Sequence, residues 1–405
     1  MKRETTSLTR RGFLVSAGAL GLVQASRAAG AADTASPPSD DWVRPLVKFP
    51  QKRPLLELSP RPPLLETPFE IFDRGVFTPN DAFFVRWHLA GIPTTVDAQS
   101  FRIKVHGAVD TPLALSLDDL RTKFEPVEVA AVNQCSGNSR ALFSPPIPGG
   151  QWYNGAMGNA RWKGARLADV LAKAGLGQGV KQIRFNGLDA PVLPVTPAFV
   201  KALDVDVARE PGVLLAYEMN GSPLPLLNGY PVRLVVPGWF ATYWVKMLSE
   251  IEAIETVDDG FWMKTAYRIP DTPDNSVTPD QTGYKTIPIN RLRIRSFITN
   301  VVSGATLGTG PQTLRGIAFD SGSGIKGVDV SSDGGSTWQA ATLGQDYGPY
   351  SFRQWQATFV AQAGTAYVLA CRATANSGET QRAVPVWNPG GYLRNSIERY
   401  EVRTA

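Results

Sequence analysis

Residues 325–340, Ile325-Lys326-Gly327-Val328-Asp329-Val330-Ser331-Ser332-Asp333-Gly334-Gly335-Ser336-Thr337-Trp338-Gln339-Ala340, read as a β-hairpin. Strands predicted at 325–332 and 337–343 flank Asp333-Gly334-Gly335, a triplet that favours a tight turn. Around that hairpin, short strands are predicted at 312–319, 351–360 and 366–374, while helical periodicity is missing after about residue 286. That spacing predicts an immunoglobulin-like β-sandwich over 286–405. With 38 Gly and 32 Pro, the chain is turn-rich and unlike a helical bundle.

Upstream the pattern changes. Phe101 to Val105 alternates apolar and polar, as a half-buried strand does. Ser116 with Asp119 three residues on reads as an N-cap opening a short helix. Leu167, Val170, Leu171 and Ala174 lie at helical spacing, and Gly175 closes that turn. Leu234-Val235-Val236 reads as a buried strand. Residues 81–285 are therefore expected to be one mixed α+β domain, preceded by an extended arm over 32–80 that begins rich in Pro, Ser and Asp.

Residues 1–31 read as a removable leader. Arg10-Arg11 precede an apolar run ending near Val23, too short to span a bilayer, and Ala29-Gly30-Ala31 forms a cleavage site. The paired arginines and weakly hydrophobic run (Gly12, Ser16, Gly18, Gly21) point to twin-arginine export to the periplasm, a route taken by proteins already folded, often around a cofactor. An ordinary secretory signal is the other reading. The leader also carries most of the +5 net charge: Lys2, Arg3, Arg10, Arg11 and Arg27 oppose Glu4, leaving 36 basic against 35 acidic residues beyond it. A nucleic-acid binder keeps its basic excess in the folded part, so that class is set aside. No later segment is long and apolar enough to anchor the chain in a membrane.

The chemistry-bearing residues are few. Two cysteines in an exported chain make a Cys135–Cys371 disulfide the default expectation. Context argues otherwise. Cys371 shares a strand face with Tyr367 and Leu369, as a buried small hydrophobe does. Cys135 lies in the polar loop Asn133 to Arg140, where a cation and loop amides favour a metal-ligating or nucleophilic thiolate. Disulfide, reactive thiolate and inert thiol all stay open on these residues alone. His88 and His106 are the only histidines, too few for a zinc or blue-copper site. A Cys135–His88 hydrolase pair has no local motif behind it. No C-x-x-C-H occurs, so no c-type haem is expected in this chain, and the phosphate-cradling glycine motifs are missing. If Cys135 binds a metal, a cofactor must bring the other ligands. Arg86, Arg233 and Lys246 punctuate apolar or aromatic segments, where a cation needs an anionic partner. Each alone reads as an internal salt bridge; together, around one cysteine loop, they read as an anion pocket.

Eight sequence words now fall into a known order. They are Phe83 to Leu89, Asn133 to Arg140, Trp152 with Ala160 to Leu167, Phe185 to Asp189, Leu214 to Gly221, Asn228 to Gly238, Val245-Lys246, and Pro385 to Asn388. In that order they resemble the sulfite oxidase family of molybdopterin enzymes, most closely its bacterial periplasmic branch, sulfite dehydrogenases linked to cytochrome c. The resemblance implies a sulfite-oxidase-type α+β molybdopterin domain followed by the family's dimerisation sandwich. It implies one molybdenum–molybdopterin per chain with Cys135 as metal ligand. Cofactor contacts carry over to Phe84, Val85, Arg86, Trp87, His88, Cys135, Asp189, Asn228, Arg233, Trp244, Val245 and Lys246. The substrate pocket carries over to Arg86, Arg140, Trp152 and Tyr267. Three positions depart from the pattern: Asn228 stands where His is frequent, Trp87 where Asn is common beside His88, and Gly390 where an arginine usually follows Trp-Asn, with Arg394 the nearest substitute. The implied activity is oxidation of sulfite to sulfate, with electrons leaving to a c-type cytochrome held as a haem subunit or met as an acceptor, in a heterodimer or a homodimer. The competing expectations are a related molybdenum reductase of a sulfoxide or oxyanion, and a non-enzymatic exported binding protein.

Overall fold

The structure is a computed structural model that describes residues 46–405. The leader and the arm up to residue 45 lie outside the described residues. From Leu46 the expected arm is folded. Leu46–Val47, Leu55–Pro60 and Pro63–Glu66 pair antiparallel, and Val85–Arg86 completes a four-stranded sheet. The reason is apolar content: Leu55 and Leu65 are fully buried with Val85, Trp87 and Met247 in one small core. Burying them in that core offsets the cost of ordering a proline-rich segment.

Two five-stranded sheets build the middle of the chain. The first runs Val200–Asp204, Gln182–Gly187, Leu248–Ile254, Ile103–Gly107, Leu113–Leu115, with one parallel pair, Leu248–Ile254 beside Ile103–Gly107. The second runs Ser222–Pro223, Leu214–Met219, Met157–Arg166, Pro126–Gln134, with Arg233–Val235 also on Leu214–Met219. Both contribute to the largest core. The two expected helices form where local signals place them. Ser116 and Asp119 cap Leu117–Thr122 reciprocally, and Gly175 at φ 69° ends Leu167–Ala174, whose Leu167, Val170, Leu171 and Ala174 are all buried.

The C-terminal part is two sheets facing each other across one core. One is Arg295–Ile298, Gly310–Phe319, Arg353–Ala361, Thr342–Leu343; the other is Thr306–Leu307, Arg399–Thr404, Ala366–Ala375, Ile325–Ser331, Gln339–Ala340. The hairpin around Asp333 therefore has a longer loop than expected, and the strand expected at 337–343 divides. Gln339–Ala340 pairs with Ile325–Ser331, whereas Thr342–Leu343 crosses to the opposite sheet. Asp333 occupies its side chain within the loop, accepting from the Thr337 amide and hydroxyl, which shapes that wider turn. A third core of Phe72, Val132, Phe240, Ile289, Phe297, Phe319 and Phe352 ties these sheets to the middle ones.

Candidate active site

Pro126–Gln134 ends at Cys135, and the loop that follows is pinned residue by residue. The Cys135 amide donates to Ala156 O at 2.9 Å, Ser139 N to Tyr153 O at 2.6 Å, and Arg140 N to Gly137 O at 3.0 Å. Asn138 Oδ1 accepts from the Ala156 amide at 2.9 Å. Ser139 adopts φ 71° and donates its hydroxyl to Asn154 Oδ1 at 2.5 Å. Arg295, from the first strand of the C-terminal sheets, donates to Ser139 Oγ at 2.9 Å and to Glu398 at 3.0 Å. The cysteine loop is thus braced from both halves of the chain. Cys135 and Cys371 are both free. The disulfide expectation fails because Cys371 is fixed inside the two-sheet core, where Ser296 Oγ donates to its sulfur at 3.2 Å and burial pushes its thiol up to about 12.

Cys135 stands at the junction of two cavities. The first is lined by Phe84, Arg86, His88, Asn133, Cys135, Asn228, Arg233, Thr242, Lys246 and Tyr267 among others. The second takes Arg86, Cys135 and Tyr267 from the first and adds Arg140, Trp152, Gly390 and Tyr392. The first cavity carries an unusual polar lining. Arg86 Nη1, Asn133 Nδ2, Ser136 Oγ, Arg233 Nε and Thr242 Oγ1 are buried and have no hydrogen-bond partner among the described residues. Each such orphan costs about 1–3 kcal/mol. Five on one cavity is a cost that a polar ligand filling it removes. The charge is also one-sided. Burial first, then Arg233, lowers the Lys246 ammonium to about 7, and burial alone lowers the Arg233 guanidinium to about 9. Asp189 answers Lys246, but its own carboxyl is pushed up by burial. The lining calls for an anion. Among the described residues no three His, Cys, Asp or Glu side chains cluster as a metal cage. A metal at Cys135 would take its remaining ligands from that bound anion.

In the second cavity Arg140 is held in place without a carboxylate. It donates from Nε and Nη2 to Gly390 O at 3.2 and 2.9 Å and from Nη1 to Gly150 O at 3.2 Å, and lies 5.2 Å from the Tyr392 ring centroid. A side chain at Gly137 would meet the guanidinium at 2.5 Å, so the cysteine loop needs glycine there to let Arg140 pass. Its charge remains for a ligand. Tyr267 and Tyr392 stack at 5.7 Å, and the Tyr267 hydroxyl shares a hydrogen bond with His88 Nε2. Burial, followed by Arg86, Lys246 and Lys201, lowers the His88 pKa well below its usual value; burial raises that of Tyr267. A neutral imidazole and a phenol therefore face the cavities.

A family model described as the oxidoreductase molybdopterin binding domain matches residues 89–262. One described as the Mo-co oxidoreductase dimerisation domain matches residues 286–405. The chain is 36% identical over 390 residues to mitochondrial sulfite oxidase of Macaca fascicularis, covering 92% of this chain and 69% of that one. It is 35% identical over 380 residues to sulfite oxidase of Gallus gallus, covering 90% and 81%. The chain belongs to the sulfite oxidase family. It is a sulfite oxidase-type molybdopterin oxidoreductase with the family's dimerisation domain. Among solved structures, the sulfane dehydrogenase SoxCD from Paracoccus pantotrophus matches with a TM-score of 0.74 at 25% identity, over 85% of each chain.

Set against that family pattern, Phe84, Arg86, His88, Cys135, Asn228, Arg233 and Lys246 come together on the first cavity, and Arg86, Arg140, Trp152 and Tyr267 on the second. Val85, Trp87, Trp244, Val245 and Asp189 line neither and act from behind. Trp87 packs under the Lys246 ammonium at 4.4 Å, Trp244 flanks Arg233 at 5.6 Å, and Val85 and Val245 are core. Arg394 lines neither cavity: Glu398 and the Leu142 carbonyl hold its guanidinium at 3.3–3.4 Å. Gly390 and Tyr392 stand on the cavity in its place, supplying a carbonyl for Arg140 and a ring for Tyr267. Thr242, Tyr392 and Lys201 escape the sequence reading. Tyr392 had only its nearness to the Trp387-Asn388 word as a signal. Lys201, lowered to about 7 by burial, donates to Trp262 O at 2.7 Å and lies under the Tyr267 ring at 5.3 Å; it had no signal, sitting mid-strand.

Proposed function

We propose that this chain oxidises sulfite to sulfate at a molybdenum–molybdopterin centre, one per chain, and passes the electrons to a c-type cytochrome in the periplasm after twin-arginine export. The observation that carries the reading is the junction of the two cavities: one side a cationic cradle with orphaned donors, the other an arginine pocket, with Cys135 between them.

Cys135 is the residue to ligate the metal as thiolate. Arg86, Arg233, Lys246 and the hydroxyls of Ser136 and Thr242 are those to hold the anionic pterin, supported by Asn133 and Asn228. When bound, the centre supplies the oxygen transfer and the two-electron redox chemistry, which no side chain here can supply. The chain's own part is binding and orientation. Arg140, steadied by Gly150 and Gly390, keeps N–H groups for a sulfite oxygen, and Arg86 faces the same space. Trp152, almost fully buried, forms an apolar wall of that space. The Tyr267 phenol, paired with neutral His88, is a hydrogen-bond donor or acceptor that carries no charge into the pocket.

The two-sheet C-terminal domain is read as an immunoglobulin-like sandwich used for pairing, with a second copy or with a haem-bearing subunit. A second substrate reading has one observation behind it. Where an arginine was expected, Gly390 and Tyr392 leave the pocket with one fewer cation, which suits a less charged sulfur compound such as a sulfane. Purified protein decides. Molybdenum near one per chain with sulfite-dependent cytochrome c reduction supports the main reading. Loaded protein that ignores sulfite but oxidises a neutral organic trisulfide supports the second, and metal-free protein inert to both refutes each.

A further inference from the structure

Lys52 lies in the N-terminal segment, outside the residues 89–262 matched to the molybdopterin-binding domain. It is 3% exposed. Its ammonium donates to Asn80 O at 2.7 Å, to Phe83 O at 3.0 Å, and to Asn228 Oδ1. All three donors are therefore used, and every acceptor is neutral. The nearby carboxylate, Asp81, bonds Arg53 at 2.6 Å instead. Asn228 is consequently fixed at both ends: its Nδ2 donates to Phe84 O at 3.1 Å, and its own carbonyl accepts from Arg233 Nη1 at 3.0 Å. Phe84, Asn228 and Arg233 all line the first cavity.

A buried ammonium held only by neutral acceptors is destabilising on its own. Burial and Arg233 both weaken its charge, and Asp81 offsets them only in part. The same three acceptors would be served by an uncharged donor at lower cost, so the charge itself calls for a partner. The cavity wall lies one residue away, and that cavity is already short of negative charge.

We propose that Lys52 is a positioning residue for the anionic cofactor: it locks the Asn228 amide and the Phe84 wall, and its charge is balanced by the cofactor's anionic group across that wall. This rests on the reading that the cavity binds molybdopterin. It makes the N-terminal hairpin, which lies outside the matched domain, part of cofactor retention.

The test uses the full chain, loaded and cofactor-free, as wild type, Lys52→Met, Lys52→Gln, Asn228→Asp and Arg53→Gln. Pterin release is followed by fluorescence of the oxidised pterin, molybdenum by elemental analysis, and stability by thermal unfolding of both forms. Both Lys52 variants are expected to release pterin about ten- to a hundredfold faster than wild type. Gln, which keeps donors for the lock but lacks the charge, should release more slowly than Met and still faster than wild type; Gln at the wild-type rate overturns the charge role. Asn228→Asp gives Lys52 a carboxylate inside the protein and should speed release likewise, which keeps the test alive if the Lys52 variants fold poorly. Arg53→Gln, which breaks the neighbouring ion pair only, should leave release unchanged. Loaded wild type with Lys52 and Asn228 variants releasing pterin at the wild-type rate overturns this inference alone, as does an equal loss of melting temperature in both forms with unchanged release. Wild type carrying no pterin overturns the cofactor reading and this inference with it.

Discussion

Replacing Arg295 by Met should loosen the cysteine loop from the opposite half of the chain. The side chain is 1% exposed, and its guanidinium joins Ser139 Oγ at 2.9 Å, Glu398 Oε1 at 3.0 Å and, more weakly, Asn154 Oδ1 at 3.4 Å. Burial lowers its pKa to about 10 against the opposing pull of Glu398, so it is fully charged at neutral pH. Removing one partner of a buried pair costs about 3–5 kcal/mol, because the other charge is left buried. Here Glu398 keeps Arg394, though at 3.3–3.4 Å, and Ser139 keeps Asn154. The lower end, about 3 kcal/mol, is therefore expected. Ser139 holds a left-handed backbone four residues after Cys135, so its release gives slack to the loop. Urea unfolding of cofactor-free protein measures the energy, and the alkylation rate of Cys135 measures the slack, with core-buried Cys371 as internal reference. Arg295→Lys should fall between, since a single ammonium cannot reach along the fork to Ser139 and Glu398 together. A loss below about 1 kcal/mol with unchanged Cys135 labelling would refute the brace.

Cys135→Ser should abolish sulfite oxidation with a near-native fold, whereas Cys371→Ser should reduce stability only; turnover above a few per cent of wild type in metal-replete Cys135→Ser rejects the ligand assignment. Arg86→Gln should lower kcat/KM per bound molybdenum about 10- to 150-fold, the worth of one charged hydrogen bond. Arg140→Gln should do the same and also lower stability, because it unlatches Gly150 and Gly390; flat activity per molybdenum in both variants removes the substrate clamp. Lys52, Lys201 and Lys246 have folded pKa values near 7, each lowered chiefly by burial, against about 10.4 unfolded. Between those values the unfolded chain binds more protons, so cofactor-free protein should gain stability as pH rises from 7 to 10. An anion bound beside Lys52 and Lys246 raises their pKa and should flatten that rise in loaded protein; parallel pH profiles for the two forms would contradict it. Arg10→Lys with Arg11→Lys should strand activity in the cytoplasm, and unchanged periplasmic activity refutes the export route without touching the enzyme.

The elements legible in the sequence were those whose cause is local. The Ser116–Asp119 box, the Leu167–Ala174 stripe with Gly175, and the strands around Gly310–Phe319 and Ala366–Ala375 are set by neighbours a few residues away. The cysteine loop and most pocket residues were legible as a family pattern, since each word keeps its own side chains together. What the sequence could not hold is the choice of partner across long separations. Lys52 meets Asn228 across 176 residues, from a segment whose prolines read as an extended arm. Arg394 donates to the Leu142 carbonyl across 252 residues and lines neither cavity, while Gly390 offers Arg140 a carbonyl across 250. Cys135 and Cys371 stay apart because one closes a cavity and the other fills a core. Composition and periodicity fix which residues are buried; only packing in three dimensions decides which buried charge faces which, because electrostatic pairing depends on distance in space and not along the chain.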